Sequence, residues 1–301
     1  MTKTAFLFPG QGAQYVGMGV ALADKHASVR ALFDRASQIL DFDLLETCKN
    51  GPAERLNATD ISQPALYVAS FAALEGLRET EPDAEASCAI TAGLSLGEYT
   101  ALAFAGAMDF ETGLRLVRLR GQVMQMAAEK SPSTMASVLL LEESVLDELV
   151  LKGQEKGLVR IANYLCPGNL VISGAVPAVE EVEKLAQAAG AKTIRLSVAG
   201  AFHTQLMEPA VAPLSEALEK VRFAQPRIPV LSNVTGLTHG APETFAGLLA
   251  RQVVEPVRWE ACVRQMLASG VEKFYEVGPG KVLAGLLKRI DRKIPCVGVA
   301  G

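Results

Sequence analysis

Short apolar runs of four or five residues alternate with longer segments of helical periodicity, and that alternation constrains the fold more than any other feature. Thr4–Phe8, Cys88–Ala92, Pro229–Ser232, Lys273–Val277 and Pro295–Val299 read as strands. Val16–Leu40, Gly97–Ala105, Glu111–Glu129, Thr204–Val221, Glu243–Arg251, Trp259–Ala268 and Lys281–Ile290 read as helices. Strands alternating with helices imply α/β architecture, a mainly parallel sheet flanked by helices.

The middle of the chain follows another rhythm. Met135–Leu140, Leu158–Asn163, Leu170–Ser173 and Lys192–Leu196 read as strands, with helices at Glu142–Lys152 and Val176–Ala189. The order βαββαβ is ferredoxin-like, and Pro167-Gly168 marks the turn between its central strands. The expected organisation is a discontinuous large α/β domain, residues 1–125 and 199–301, with a small domain inserted at 126–198. A cleft between two such domains is a favoured ligand site.

Composition narrows the function classes. Half of the 301 residues are hydrophobic, enough for a large core, and the net charge is -4. Nucleic-acid binding needs a basic excess on at least one face, so no nucleic-acid partner is expected. The longest apolar runs fall short of the roughly 18 residues of a membrane span. The run after Met1-Thr2-Lys3 is too short for a secretory signal. Five scattered cysteines with no CxxC pair argue against disulfides and zinc, which points to a reducing cytoplasm. They read as small buried hydrophobes.

Gly93-Leu94-Ser95-Leu96-Gly97 lies between a strand and a helix. In that context GxSxG marks a sharp turn that exposes the serine hydroxyl, with the Leu96 amide aimed at an oxyanion forming beside it. Ser95 and Glu98 also satisfy the S-x-x-E pattern of an ordinary capping box. A serine nucleophile needs a base, and there are three histidines. His26 sits in the polar run Asp24-Lys25-His26 and reads as solvated; His239, in Thr238-His239-Gly240, reads as a turn residue. His203 follows small residues and opens a helix, which makes it the candidate base. No acid is placed to orient it, so a carbonyl is expected in that role.

Arg120 falls on the apolar stripe formed by Gly113, Leu116, Val117, Val123, Met124 and Ala127, whereas Arg115 and Arg118 fall off it. An inward guanidinium needs an anion: either a ligand carboxylate, which its planar fork matches, or an internal acid in a structural ion pair. Phe8-Pro9-Gly10-Gln11-Gly12 is a glycine-rich loop, but Tyr15 stands where a dinucleotide fingerprint needs glycine, and no nucleotide-phosphate loop occurs. No metal and no cofactor are expected.

FPGQG at 8–12, GLSLGE at 93–98, Arg120-Gly121, ANYLCPG at 162–168, GAFH at 200–203, Arg251-Gln252 and EVGPG at 276–280 together resemble the malonyl-CoA:acyl carrier protein transacylases. The resemblance runs in order through nearly the whole chain and implies an α/β-hydrolase-like core with the ferredoxin-like insert. It also implies ping-pong transfer of malonyl from coenzyme A to the serine, then to the phosphopantetheine thiol of an acyl carrier protein, serving fatty acid or polyketide synthesis. Coenzyme A and phosphopantetheine enter as substrate carriers. By resemblance Ser95 is the nucleophile and His203 its base. Gln11 and Leu96 supply oxyanion-hole amides, and Arg120 holds the malonyl carboxylate. The Gln252 carbonyl holds the histidine, and Phe202 disfavours branched substrates.

Three positions depart from the family pattern: Leu94 replaces a histidine, Leu165 an asparagine and Asn169 a glutamine. Lys281, Lys288, Arg289, Arg292 and Lys293 form a candidate docking patch for an acidic carrier, or a solvated helix end. Competing readings are a serine esterase and a hydrolase that clears stray acyl groups from carriers. A carrier-binding module without catalysis is the non-enzyme alternative.

Overall fold

A computed structural model describes residues 2–300; Met1 and Gly301, the two ends of the expected large domain, lie outside the described residues. Its first sheet comprises β1 (Thr4–Phe8), β2 (Cys88–Gly93), β7 (Lys273–Val277) and β8 (Cys296–Val299), in the order β2-β1-β7-β8 and parallel throughout. β1 is buried along its whole length, as a central strand covered on both faces must be. Its apolar side chains and those of the flanking helices pack into two clusters, around Phe6 and Phe8 on one side and around Leu7, Trp259 and Phe274 on the other.

The second sheet comprises β3 (Ser133–Leu139), β4 (Val159–Cys166), β5 (Asn169–Ala175) and β6 (Lys192–Arg195), in the order β4-β5-β3-β6, every neighbouring pair antiparallel. With helices at Glu143–Gly153 and Val176–Ala188, this is the ferredoxin-like βαββαβ topology expected from the sequence. A core of its own, including Val138, Ile161, Ile172 and Val182, lies between sheet and helices.

Several elements differ from expectation. Pro229–Ser232 forms no full strand: it makes a single parallel bridge from Val230 to Thr91 and an antiparallel one from Leu231 to Thr238. Pro229 has no N–H to donate, and the chain turns back within a few residues. Val16–Leu40 is two helices, Val20–Lys25 and Ala27–Leu40, because His26 is extended at φ −123°. The Thr204–Val221 helix begins as a 3-10 turn at Gln205–Met207 and becomes α-helical over Glu208–Glu219.

A 22-residue helix, Thr59–Thr80, was not expected at all. It runs through the core, so apolar residues surround it and no single stripe stands out, and Pro64 in its second turn looks like a breaker. Shorter helices at Leu44–Asn50 and Ala53–Asn57 precede it. All five cysteines are free, four of them buried. No helix among the described residues is long and apolar enough to cross a membrane.

Candidate active site

β2 ends at Gly93 and a helix begins at Leu96, so the chain reverses within two residues and Ser95 sits at the apex with φ 51° and ψ −104°. A residue other than glycine held there stores about 1–3 kcal/mol of strain, tolerable only where neighbours enforce it. They do. A Cβ on Gly93 would lie 1.8 Å from the Gly97 carbonyl carbon, one on Gly97 would lie 2.2 Å from the Phe8 oxygen, and one on Gly10 would lie 2.3 Å from the Leu94 oxygen. The serine turn and the Phe8–Gly12 loop are thus wedged together backbone to backbone, with the Leu94 N–H donating to the Phe8 carbonyl at 3.0 Å.

Gly97→Ala should therefore destabilise the fold by about 2 kcal/mol or more, since only backbone atoms could give way. Thermal denaturation checks this, and an unchanged Tm contradicts it.

The capping box, the alternative reading of Ser95 and Glu98, does not form, because the Ser95 hydroxyl makes no cap hydrogen bond. Its Oγ lies 2.9 Å from His203 Nε2 and accepts from Arg120 Nη2 at 3.0 Å. The His203 Nδ1 lies 2.8 Å from the Gln252 carbonyl oxygen. A carbonyl only accepts, so Nδ1 carries the hydrogen and Nε2 keeps a lone pair toward the serine. The missing orienting acid is thus replaced by a backbone carbonyl.

Burial, followed by the charge of Arg120, pushes the His203 pKa down to about 4. The imidazole is then neutral near pH 7 and can accept the serine proton. This shift also bears on stability. Between its ordinary value near 6.5 and about 4, the unfolded chain binds a proton that the folded chain does not. The contribution is complete above the upper value and is lost as pH falls through that window.

Arg120 is 1% exposed, as its place on the apolar stripe implies. Its other bonds run from Nη1 to Gln63 Oε1 at 2.8 Å and from Nη2 to Gln252 Oε1 at 2.9 Å, while Nε has no partner. These partners are two amides and a hydroxyl, all neutral, rather than the internal acid of a structural ion pair. Burial lowers the arginine pKa, although a guanidinium stays charged under ordinary conditions. The result is a desolvated cation at the nucleophile with spare donor capacity.

Ser95, His203 and Arg120 open onto a cavity of about 310 Å³ that Gln11, Leu96 and Phe202 also line. Leu96 opens its helix, where N–H groups have no intrahelical acceptor, and the helix dipole adds positive potential. Ser137 on β3, Asn163 on β4 and Val171 on β5 form the opposite wall, so both sheets contribute to the site.

Leu94 faces the cavity and packs against the Leu7–Trp259 cluster; Leu165 and Asn169 line the cavity too. All three departures from the family pattern therefore lie in the wall, beside rather than among the reacting groups. Arg289 is tied to the turn after β4 by bonds from Nη2 to the Pro167 and Gly168 carbonyls at 3.2 and 3.0 Å, while Lys281 and Lys288 are exposed.

The structure also brings in residues that the sequence reading assigned elsewhere or passed over. His239 lies in a loop, as its turn reading implies, but is only 7% exposed, and its Nε2 lies 2.7 Å from Glu98 Oε1. His26 is not solvated either; its Nδ1 pairs with Glu79 at 2.6 Å. Asn233 accepts from the Ser95 N–H at 2.6 Å and donates to the Gly93 carbonyl at 2.8 Å, pinning the turn from behind. Nothing in the local pattern around Asn233 or Gln63 signals these contacts.

Comparison with known proteins agrees with this geometry. A family model described as an acyl transferase domain matches residues 5–294. The chain is 40% identical over 304 residues to the malonyl CoA-acyl carrier protein transacylase of Bacillus subtilis (strain 168), covering 100% of this chain and 94% of that protein. It superimposes on MCAT from Streptococcus pneumoniae with a TM-score of 0.92 at 42% identity, covering 99% of this chain and 96% of that one. A malonyl-transacylase solved in complex with its type II PKS acyl-carrier protein gives a TM-score of 0.94 at 37% identity, over 99% of this chain and 96% of that one. The chain belongs to the acyl transferase domain family and, within it, to the malonyl-CoA:acyl carrier protein transacylases.

Proposed function

We propose that the chain transfers malonyl from malonyl-CoA to the phosphopantetheine thiol of an acyl carrier protein through a malonyl ester on Ser95. The observation that carries this reading is Arg120: a buried guanidinium 3.0 Å from the candidate nucleophile suits an acyl group that itself bears a carboxylate. An esterase or a general acyl-clearing hydrolase has no use for it.

In the first half-reaction Ser95 Oγ attacks the thioester carbonyl and gives its proton to His203 Nε2. The oxyanion gathers at the N–H groups of Leu96 and Gln11. Collapse breaks the carbon–sulfur bond, and coenzyme A leaves with the proton from His203. The carrier thiol then attacks the malonyl ester and the same proton path runs in reverse. Thioester exchange is nearly balanced in energy, so the site chiefly stabilises two tetrahedral oxyanions and excludes water. None of these steps calls for a resident metal or cofactor.

The Phe202 ring, 5% exposed in the cavity wall, leaves little room for a branch on the malonyl carbon. Residues 126–198 act as a small domain closing the cleft over residues 1–125 and 199–301; the separate core beneath the second sheet supports this division. Lys281, Lys288, Arg289, Arg292 and Lys293 are the proposed carrier-facing patch. Five free cysteines favour the cytoplasm.

The test is intact-mass measurement after brief exposure to malonyl-CoA or acetyl-CoA. A malonyl adduct that forms selectively and is discharged by holo-carrier supports the reading; no adduct, or one lost equally fast to water, overturns it. The same assay reads the base. Because the His203 pKa is pushed down to about 4, self-acylation should be flat above roughly pH 6 and fall below roughly pH 5. A break near pH 7 would remove the neutral, desolvated histidine from the mechanism.

A further inference from the structure

Behind the serine turn lies a closed polar cluster that the reaction above does not use. Glu98 is 0% exposed and His239 7% exposed, and neither lines the cavity. Glu98 Oε1 faces His239 Nε2 at 2.7 Å, while Oε2 accepts from the Asn233 N–H at 3.0 Å and from Gln252 Nε2 at 2.6 Å. The same Gln252 amide donates to the Ser95 carbonyl at 3.0 Å and, through its oxygen, accepts from Arg120. A buried carboxylate is costly unless fully bonded, and here each oxygen has a donor.

An amide side chain can sit either way round, with opposite consequences for a guanidinium beside it. Turned as observed, Gln252 offers oxygen to Arg120; turned over, it would set N–H against N–H and leave the arginine without that anchor. Glu98 Oε2, which also accepts from the Asn233 N–H, faces the amide as an acceptor and favours the first arrangement, together with the Ser95 carbonyl. His239 in turn holds the carboxylate from its other oxygen and stops it from rotating.

We propose that Glu98, held by His239, is a positioning residue for acyl selection: it locks the Gln252 amide so that Arg120 points at the malonyl carboxylate. This rests on the malonyl-transfer reading above. The chain of bonds also explains why a polar pair is kept in the core beneath a turn that Asn233 already pins. Removing it should injure selection between acyl groups more than reactivity of the serine, because acetyl carries no carboxylate for the arginine to bind.

The experiment compares self-acylation rates with malonyl-CoA and acetyl-CoA, by intact mass, in wild-type protein, Glu98→Met and Glu98→Gln. Methionine keeps the length and removes the acceptor, so the malonyl-over-acetyl ratio should fall about tenfold or more. Glutamine can keep an oxygen toward Gln252 while its NH₂ faces His239. Its ratio should stay within about threefold of wild type. Equal loss of both activities in Glu98→Met, as a merely structural role requires, overturns the proposal, and so does a Glu98→Gln ratio as low as that of Glu98→Met.

Should Glu98→Met fail to fold, His239→Leu frees the carboxylate to turn and carries the same expectation; an unchanged ratio there is equally fatal. A wild-type protein that takes up no malonyl overturns both this inference and the transfer reading. Wild-type uptake with unchanged ratios in the variants overturns this inference alone.

Discussion

Ser95→Ala should take up no detectable malonyl, a loss of roughly a thousandfold or more in self-acylation rate, while the fold keeps its stability within about 1 kcal/mol. The two halves of this expectation have different causes. Alanine retains the Cβ and therefore the backbone conformation at φ 51°, and Asn233 and the two flanking glycines hold the turn without using the hydroxyl. Arg120 keeps both glutamine partners, and His203 keeps its bond to the Gln252 carbonyl. Only the atom that must carry the acyl group disappears. Among the described residues Ser95 Oγ, at 2.9 Å, is the side-chain hydroxyl or thiol hydrogen-bonded to His203 Nε2. Intact mass after malonyl-CoA reads the adduct and thermal denaturation reads the fold. An adduct of undiminished yield in the variant would place the ester elsewhere and dismantle the assignment of Ser95.

The site was partly legible in the sequence because two of its parts violate local rules. An arginine on an apolar stripe is visible from periodicity alone, and helix Phe110–Ala128 indeed buries Arg120 beside Val117 and Met124. A serine between two glycines at a strand-to-helix junction is similarly conspicuous. What periodicity could not reveal was the partner of each. Whether Arg120 meets an internal acid or keeps capacity for a ligand depends on Gln63 and Gln252, which lie 57 and 132 residues away along the chain.

Glu98 shows the limit from the other side. Its spacing from Ser95 fits a cap, a strictly local motif, yet its carboxylate is drawn off by His239, Asn233 and Gln252, all from more than 130 residues downstream. Long-range hydrogen bonds to a buried carboxylate outweigh one local cap. The fold followed the same logic. Amphipathic helices and short strands were readable, whereas Thr59–Thr80, buried on nearly every side, offered no contrast between faces for a periodicity argument to use.

Arg120→Ala should lower malonyl self-acylation about a hundredfold or more while acetyl self-acylation holds or rises, so that preference between the two acyl groups collapses. In the wild-type protein the guanidinium is desolvated whether or not substrate is present, and its Nε lacks any partner. An incoming carboxylate replaces no strong ion pair, since the existing partners are neutral, and it supplies the counter-charge that burial withholds. Acetyl supplies none and leaves the guanidinium with its neutral hydrogen-bond partners alone. The variant removes both the attraction for one acyl group and the penalty on the other.

A second consequence separates this account from simple damage to the site. Arg120 is one of the causes that hold the His203 pKa down, ranking after burial. Removing the positive neighbour must raise that pKa, and the acid limb of the rate profile should move toward neutral pH. Rates compared near pH 8 keep the imidazole neutral in both proteins and isolate carboxylate binding. A variant with an unchanged malonyl-over-acetyl ratio at that pH would detach the arginine from substrate selection. If its acid limb had nevertheless moved, Arg120 would act on the base alone.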